Sequence, residues 1–317
     1  MFAPTLLLAA LIAAAQPAVR NDALARANEA LQAGEADKAL SLLSSLPSSA
    51  NARNLKCRVY FMLERFDEAA GECEQAVSLD AQSSTNHLWL GRALGEKADR
   101  ASFMSAYSLA KRARAEFEQA ASLDPHNAEA LSDLGEFYAS APGVVGGGTD
   151  KAEKLLPSLD KVDPARGQQL RGRIAESRKN FGAAEHAYRQ AVNVDKHPAF
   201  SWIMLASFYR KRERWSDMES AIDSGYTAAL RDKAAGVALY NAASVLSRAN
   251  RNLSLAAEML QKYLADYTKS EEAPAFIAHT RLARLKSQLG DSASARQERD
   301  AALKLAHDYK PALALKF

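Results

Sequence analysis

RAEFEQAASLDP, residues Arg114 to Pro125, followed by LSDLGEFY at Leu131 to Tyr138, is the stretch that decides the fold. At the first segment Ala113, Phe117 and Ala120 share one face of a helix, and Pro125 lies where that helix must stop. In the second, Leu131, Leu134, Gly135 and Tyr138 share a face at the same helical spacing. The two faces are complementary in size. A small residue on one helix lets the other approach closely, the aromatics fill the layer between helix pairs, and proline closes the pair.

The pair recurs along the chain, with the helix carrying the small residue first (helix A) and its partner second (helix B). Ala27 and Ala39 make a degenerate first unit, and Cys57, Tyr60, Ala69, Cys73 and Ala76 a second. Leu90 and Gly91 precede the Ala113–Pro125 helix, and Leu131–Tyr138 precedes Ala152, Leu156 and Pro164. Gly172, Ala184, Tyr188 and Ala191 follow, then Trp202, Leu205, Ala206 and Tyr209 with Ile222 and Gly225. Ala243 or Ser244 with Ala256, Leu260 and Tyr263, and finally Leu282, Ala283, Ala295 and Ala302, complete eight units. The helix B markers Ala152, Ala184 and Met218 are 32 and 34 residues apart.

This pattern resembles the tetratricopeptide repeat, a helix–turn–helix unit of about 34 residues. The resemblance covers residues 20 to 310 and implies an all-α, right-handed superhelical solenoid of about eight hairpins over 16–317. Two units are stretched. From Gly91 to Ala113, around 92–112, the chain carries roughly ten residues more than the repeat requires, good helix formers that lengthen the hairpin or add a short helix. The fourth unit contains a Gly-rich loop at 142–150. A long hairpin beside such a loop is similar to a group of bacterial exported tetratricopeptide-repeat proteins. More distantly, it resembles the regulator-of-microtubule-dynamics family.

Composition fits the helical picture. Of 317 residues, 48% are apolar with alanine prominent, 25% are charged and only 8% aromatic. The formal charge of +3 is small for this length, and no Lys/Arg run is interleaved with aromatics, which argues against a nucleic-acid partner. Leu6 to Ala15 is an unbroken apolar run ending in small residues, read as a secretory signal over 1–15 cut after Ala15, too short to span a bilayer. The competing reading is a hydrophobic first helix of the fold. A periplasmic or secreted protein is expected, without an integral membrane span.

Chemistry is sparse. The loop Gly143–Asp150 lacks the lysine of a phosphate-binding loop and is expected to be a turn, with glycines at positive φ, Asp150 capping the next helix and Glu153 completing a capping box. Cys57 and Cys73 occupy facing positions of one hairpin, and a disulfide and two buried thiols are both consistent with that placement. No metal site, cofactor or catalytic constellation is expected, since the six histidines are scattered and His87 and His279 fall at core positions. Acidic pairs such as Glu271-Glu272 read as solvated surface.

The resemblance also implies where a partner is held, because helix A lines the inner groove of such arrays. The residue after each small position reads Asn28, Arg58, Arg92, Glu136, Arg173, Ser207, Val245 and Arg284. Four arginines, with Asn54 one turn before Arg58, suit a carboxylate-rich protein or peptide, and Trp89 and Met204 add apolar contact. The lysine/asparagine pattern of the family's carboxylate clamp is absent, and a generic solvated helix face is the competing reading. The expected function is a non-catalytic interaction scaffold; the alternative is a structural subunit of a membrane-associated envelope or secretion assembly.

Overall fold

The computed structural model describes residues 22–317; the leader expected at 1–15 lies outside the described residues. Helices follow one another as antiparallel hairpins, and among the described residues the sole β feature is an isolated bridge between Ser270 and Ala273. The hairpins are α1 (22–33) with α2 (Ala36–Ser44), α3 (Ala50–Met62) with α4 (Phe66–Leu79), and α5 (Ser84–Arg100) with α6 (Phe103–Leu123). Next come α7 (Ala128–Ser140) with α8 (Thr149–Glu153) and α9 (Leu156–Val162), then α10 (Pro164–Ser177) with α11 (Phe181–Val194). The last three pairs are α12 (Pro198–Lys211) with α13 (Trp215–Leu230), α14 (Gly236–Ala249) with α15 (Leu253–Asp266), and α16 (Ala275–Gln288) with α17 (Ser292–Leu305). A single turn, α18 (Lys310–Leu313), ends the chain. The fold is an all-α solenoid of eight tetratricopeptide-like hairpins.

The size complementarity read from the sequence is what holds each hairpin. A Cβ placed on Gly91 would lie 2.7 Å from the Phe117 ring, so only glycine permits that approach of α5 to α6. Core tyrosines keep their hydroxyls paired by reaching carboxylates on a neighbouring helix: Tyr138 to Glu118 and Tyr209 to Glu185, both at 2.7 Å. Six of the A-to-B turns place a residue in the left-handed region, at Gly34, Glu64, Lys179, Glu213, Asn250 and Gly290. Of the two stretched hairpins, the third has no such residue between its helices, and the fourth has Gly146 in that region within a longer loop.

In the third hairpin the surplus lengthens both helices: α5 has 17 residues and α6 has 21, against 13 and 14 in α3 and α4. At 1.5 Å per residue α6 outreaches α4 by about 10 Å. In the fourth, the loop forms a 3-10 turn, Gly143–Val145, with Gly146 and Gly148 at positive φ as expected. The expected Asp150 cap is corrected. Gly148 is the N-cap, and Asp150 and Glu153 instead bind Arg178 of the next hairpin at 3.0 and 2.6 Å. An arginine offers two charge-assisted bonds where the helix end offers one amide. Helix B then breaks between α8 and α9, because Pro157 has no amide hydrogen to continue the ladder.

The array curls until its ends meet. One buried cluster contains Leu31, Leu43 and Val59 from the first hairpins together with Phe276, Ala302, Ala306 and Tyr309 from the last. Phe276 and Tyr309 stack edge to face at 4.9 Å inside it. Gly34 sits against the start of α16, where a Cβ would fall 2.3 Å from the backbone nitrogen of Ala275. Its φ of +72° adds a second requirement for glycine. The solenoid is therefore closed into a ring, and its inner face is a shared central space. No helix among the described residues is long and apolar enough to cross a membrane.

Candidate functional site

The inner face is built by the first helix of successive hairpins, and its chemistry is dominated by arginine. At the seam, the Arg58 guanidinium on α3 donates to both Glu271 oxygens, Nε at 2.8 Å and Nη2 at 2.5 Å. The pair is largely enclosed, with 15% and 16% of the two side chains exposed. Gln32 of α1 donates to the same carboxylate at 3.0 Å. Glu271 is thus a structural ion joining residues more than two hundred positions apart in sequence. This corrects its expected role as solvated surface: ring closure brings the 268–274 segment over α3.

Three further contacts cross the seam. Arg65 donates to Asp308 at 2.8 Å, the Tyr309 hydroxyl to Glu64 at 2.9 Å, and the His307 backbone amide to Asp37 at 2.9 Å. The His307 ring also lies 2.9 Å from Asp37, and hydrogen bonding to that carboxylate, then its charge, hold the imidazole pKa above its usual value. Asp37, His307 and Asp308 form the one group among the described residues with metal-ligand spacing. Their contacts with one another and with Arg65 account for them as seam pairs.

Behind the seam lies a cavity of about 820 Å³, lined by residues of α3, α5, α14 and α16 among others. Trp89 stands in its wall between two guanidinium groups, Arg92 at 4.6 Å and Arg58 at 5.5 Å from the ring centre, with Phe61 edge-on at 5.4 Å. Arg92 is itself held by Asp133 at 2.6 Å and Glu129 at 2.9 Å, carboxylates of the next hairpin. Burial works against its charge, but those two partners more than compensate and raise its pKa. Glu272 also lines the cavity, where desolvation, then the charge of Glu129, push its carboxyl upward.

The residues singled out from the sequence are thus distributed unevenly. Arg58, Trp89 and Arg92 come together in the central cavity. Arg173 stands apart, bound to Glu136 at 2.7 Å and Glu176 at 3.3 Å. Asn54 is 5% exposed and packs within α3's buried face, its Nδ2 without a hydrogen-bond partner. Met204 lines a smaller cavity of about 210 Å³ and Arg284 another of about 260 Å³. Cys57 and Cys73 are bridged within the second hairpin, with Cα atoms 5.3 Å apart.

Two arginines that link these spaces were not among those expected. Arg248 on α14 and Arg281 on α16 line the central cavity and both smaller ones. Arg281 is fixed over the Tyr240 ring at 4.2 Å and donates to the Ser244 hydroxyl. Among the described residues no carboxylate is paired with Arg248, Arg281 or Arg284. Together with Ser244 and Ser247 they form a cationic wall. A signal for both was present: Arg248 is three residues after Val245 and Arg281 three before Arg284, one turn along the same inner stripe.

No protein-family model and no curated protein sequence matches the chain. Solved structures of helical-repeat proteins resemble it. TTC0263, a thermophilic TPR protein of Thermus thermophilus, is 19% identical at a TM-score of 0.48, over 60% of this chain and 98% of that one. The C-terminal part of a TPR repeat-containing protein of Cytophaga hutchinsonii is 15% identical at 0.42, over 93% and 100%. PilF of Pseudomonas aeruginosa is 13% identical at 0.39, over 83% and 95%. The solenoid description rests on the hairpins of this chain themselves.

Proposed function

We propose that this chain is a non-catalytic scaffold for protein–protein interaction, holding an acidic, extended segment of a partner protein on its inner face. The observation that carries the proposal is the wall formed by Arg248, Arg281 and Arg284, which converge without a carboxylate of their own. Elsewhere on the inner face Arg58, Arg92 and Arg173 are neutralised by intrachain carboxylates, which leaves that wall as the place where a ligand's charge is accommodated. Arginine's planar fork suits carboxylates, and stacking on Tyr240 presets Arg281 at low entropic cost. The adjoining Phe200, Ile203 and Met204 give the segment's apolar side chains a place to rest.

A non-catalytic role agrees with the histidines, several of which serve as helix clamps: His87 to Glu116 and His279 to Glu298, each at 2.6 Å. A periplasmic or secreted location is supported by the apolar leader and by the bridged, solvent-inaccessible cysteines, which suit an oxidising compartment. The test is an anisotropy titration with fluorescein-labelled oligoglutamate at low salt. Arg248→Glu/Arg281→Glu should weaken binding at least about tenfold, the scale of one lost charged contact, while helicity is unchanged. Equal affinity of the variant and the parent chain would sink the proposal.

A further inference from the structure

The long third hairpin ends in a feature that the inner-face scaffold does not use. The helix B marker Ala113 sits eleven residues into α6, whereas Ala69 sits four residues into α4, so the surplus of α6 lies at its N-terminal end. Those first turns project beyond the stack. Only Ala113, Phe117 and Ala120 of the helix are buried. At the tip Phe103 is 85% and Met104 75% exposed, the two most exposed large apolar side chains of the described residues, with Tyr107 one turn further on.

An apolar tip on a charged protein calls for an occupant, and its size and charge select one. Specific protein interfaces bury about 800 Å² on each side, whereas aromatic side chains bury about 150–250 Å² each. Two aromatics and a methionine on a convex point fall well short of a protein interface. They match an interfacial anchor, in which each side chain enters the headgroup region independently and basic residues remain at its rim. The tip carries that rim. Residues 96–112 contain Lys97, Arg100, Lys111 and Arg112 against two acids, Glu96 and Asp99, a net positive charge of two. Lys111 lies over the Tyr107 ring at 5.4 Å, and Arg100 lies over Phe66 at 4.3 Å, placing cations at the base of the apolar point. Lys97 and Arg112 pair with Asp67 and Glu74 on α4, and Arg100 pairs with Glu96 one turn before it on α5, so their charge is partly offset; Lys111 has no carboxylate partner among the described residues.

We propose that the tip of the third hairpin, with Phe103 and Met104 leading and Lys111 and Arg100 at the rim, docks onto an anionic lipid surface. The cost of exposing two large apolar groups in water is recovered in the interface, and headgroup charge adds attraction that salt screens. Ser105, also exposed at the tip, offers a local probe. Because both native cysteines are bridged, Ser105→Cys introduces one thiol for an environment-sensitive nitrobenzoxadiazole label. The labelled full chain is titrated with vesicles of phosphatidylglycerol and phosphatidylcholine, and separately with phosphatidylcholine alone.

Docking predicts a blue shift and rise in emission with the anionic vesicles, at least tenfold weaker with neutral ones and reduced by salt. Adding Phe103→Ser/Met104→Ser to the labelled chain should weaken the response at least tenfold while leaving helicity unchanged. The probe reports the tip alone, so an apolar leader bound to the same vesicles does not mimic the signal. An unchanged spectrum at saturating anionic vesicles overturns the proposal. So does an emission change that follows protein concentration without lipid, which would make the occupant a second copy of the chain.

Discussion

Arg58 and Arg248 stand on opposite walls of the same central cavity, yet they are different kinds of residue. On the α3–α5 wall, Arg58 and Arg92 are bound by Glu271, Asp133 and Glu129. On the α14–α16 wall, Arg281 donates to the Ser244 hydroxyl and lies over the Tyr240 ring, Arg248 lines the same space, and among the described residues neither is paired with a carboxylate. Residue type and place in the repeat are similar on both sides. What differs is whether the neighbouring hairpin, or the distant one brought in by ring closure, supplies a carboxylate. An inner-face arginine in a solenoid is therefore available to a ligand only after the pairing around it has been counted.

The comparison breaks most visibly if one arginine is removed from each wall. Arg58→Ala leaves Glu271 enclosed without its partner and should cost about 3 kcal/mol of stability, the scale for halving a largely buried pair. Arg248→Ala should change stability by less than about 0.5 kcal/mol, as at ordinary surface positions. Urea unfolding of the two variants, followed by circular dichroism, gives both values. Similar costs would erase the distinction between the walls.

A second test weakens the scaffold of the paired wall. Cys57 lies one residue before Arg58 on α3, and the disulfide ties that helix to α4 across a separation of 16 residues. By loop entropy, Cys57→Ser/Cys73→Ser should destabilise the chain by about 3 kcal/mol. Calorimetry should show the loss, while oligoglutamate binding at Arg248 and Arg281 persists wherever the variant is folded. Loss of binding in the folded variant would show that the two walls are one mechanical unit.

The helices and their pairing were legible in the sequence because they follow from local spacing: Gly91 facing Phe117, Ala113 and Ala120 on one face, proline after the hairpin. The disulfide partners could be placed opposite each other for the same reason. Closure was not legible. It accumulates from the rotation of each hairpin on the last, and no local pattern specifies that Glu271 will reach Arg58. The status of every inner arginine depends on such placement, so Arg58 and Arg92 read as ligand-facing although carboxylates hold them. Asp150 shows the same limit on a smaller scale: its position suggests a cap, and Arg178 from the next hairpin takes it instead.

The smallest effect concerns pH at the seam. Asp37 raises the folded-state pKa of His307 above the usual 6.5. A raised pKa means the folded ring binds the proton more tightly than the open chain does. The stabilisation is then complete below about pH 6.5 and fades as pH rises through the higher folded value. Hydrogen exchange in α2 should accelerate slightly from about pH 6 to about pH 8.5, after correction for intrinsic exchange, and Asp37→Asn should abolish that excess. An identical pH response in Asp37→Asn would remove His307 from the seam.

The most direct test of the account is a double-mutant cycle on Arg58 and Glu271, since it asks whether the two ends of the chain meet. Arg58→Ala, Glu271→Ala and the double variant are compared with the parent chain by urea unfolding. Closure predicts a coupling energy of at least about 1.5 kcal/mol, as for contacting charged residues. Additive effects within about 0.5 kcal/mol, the behaviour of distant sites, would contradict the closed ring and with it the division between paired and available arginines.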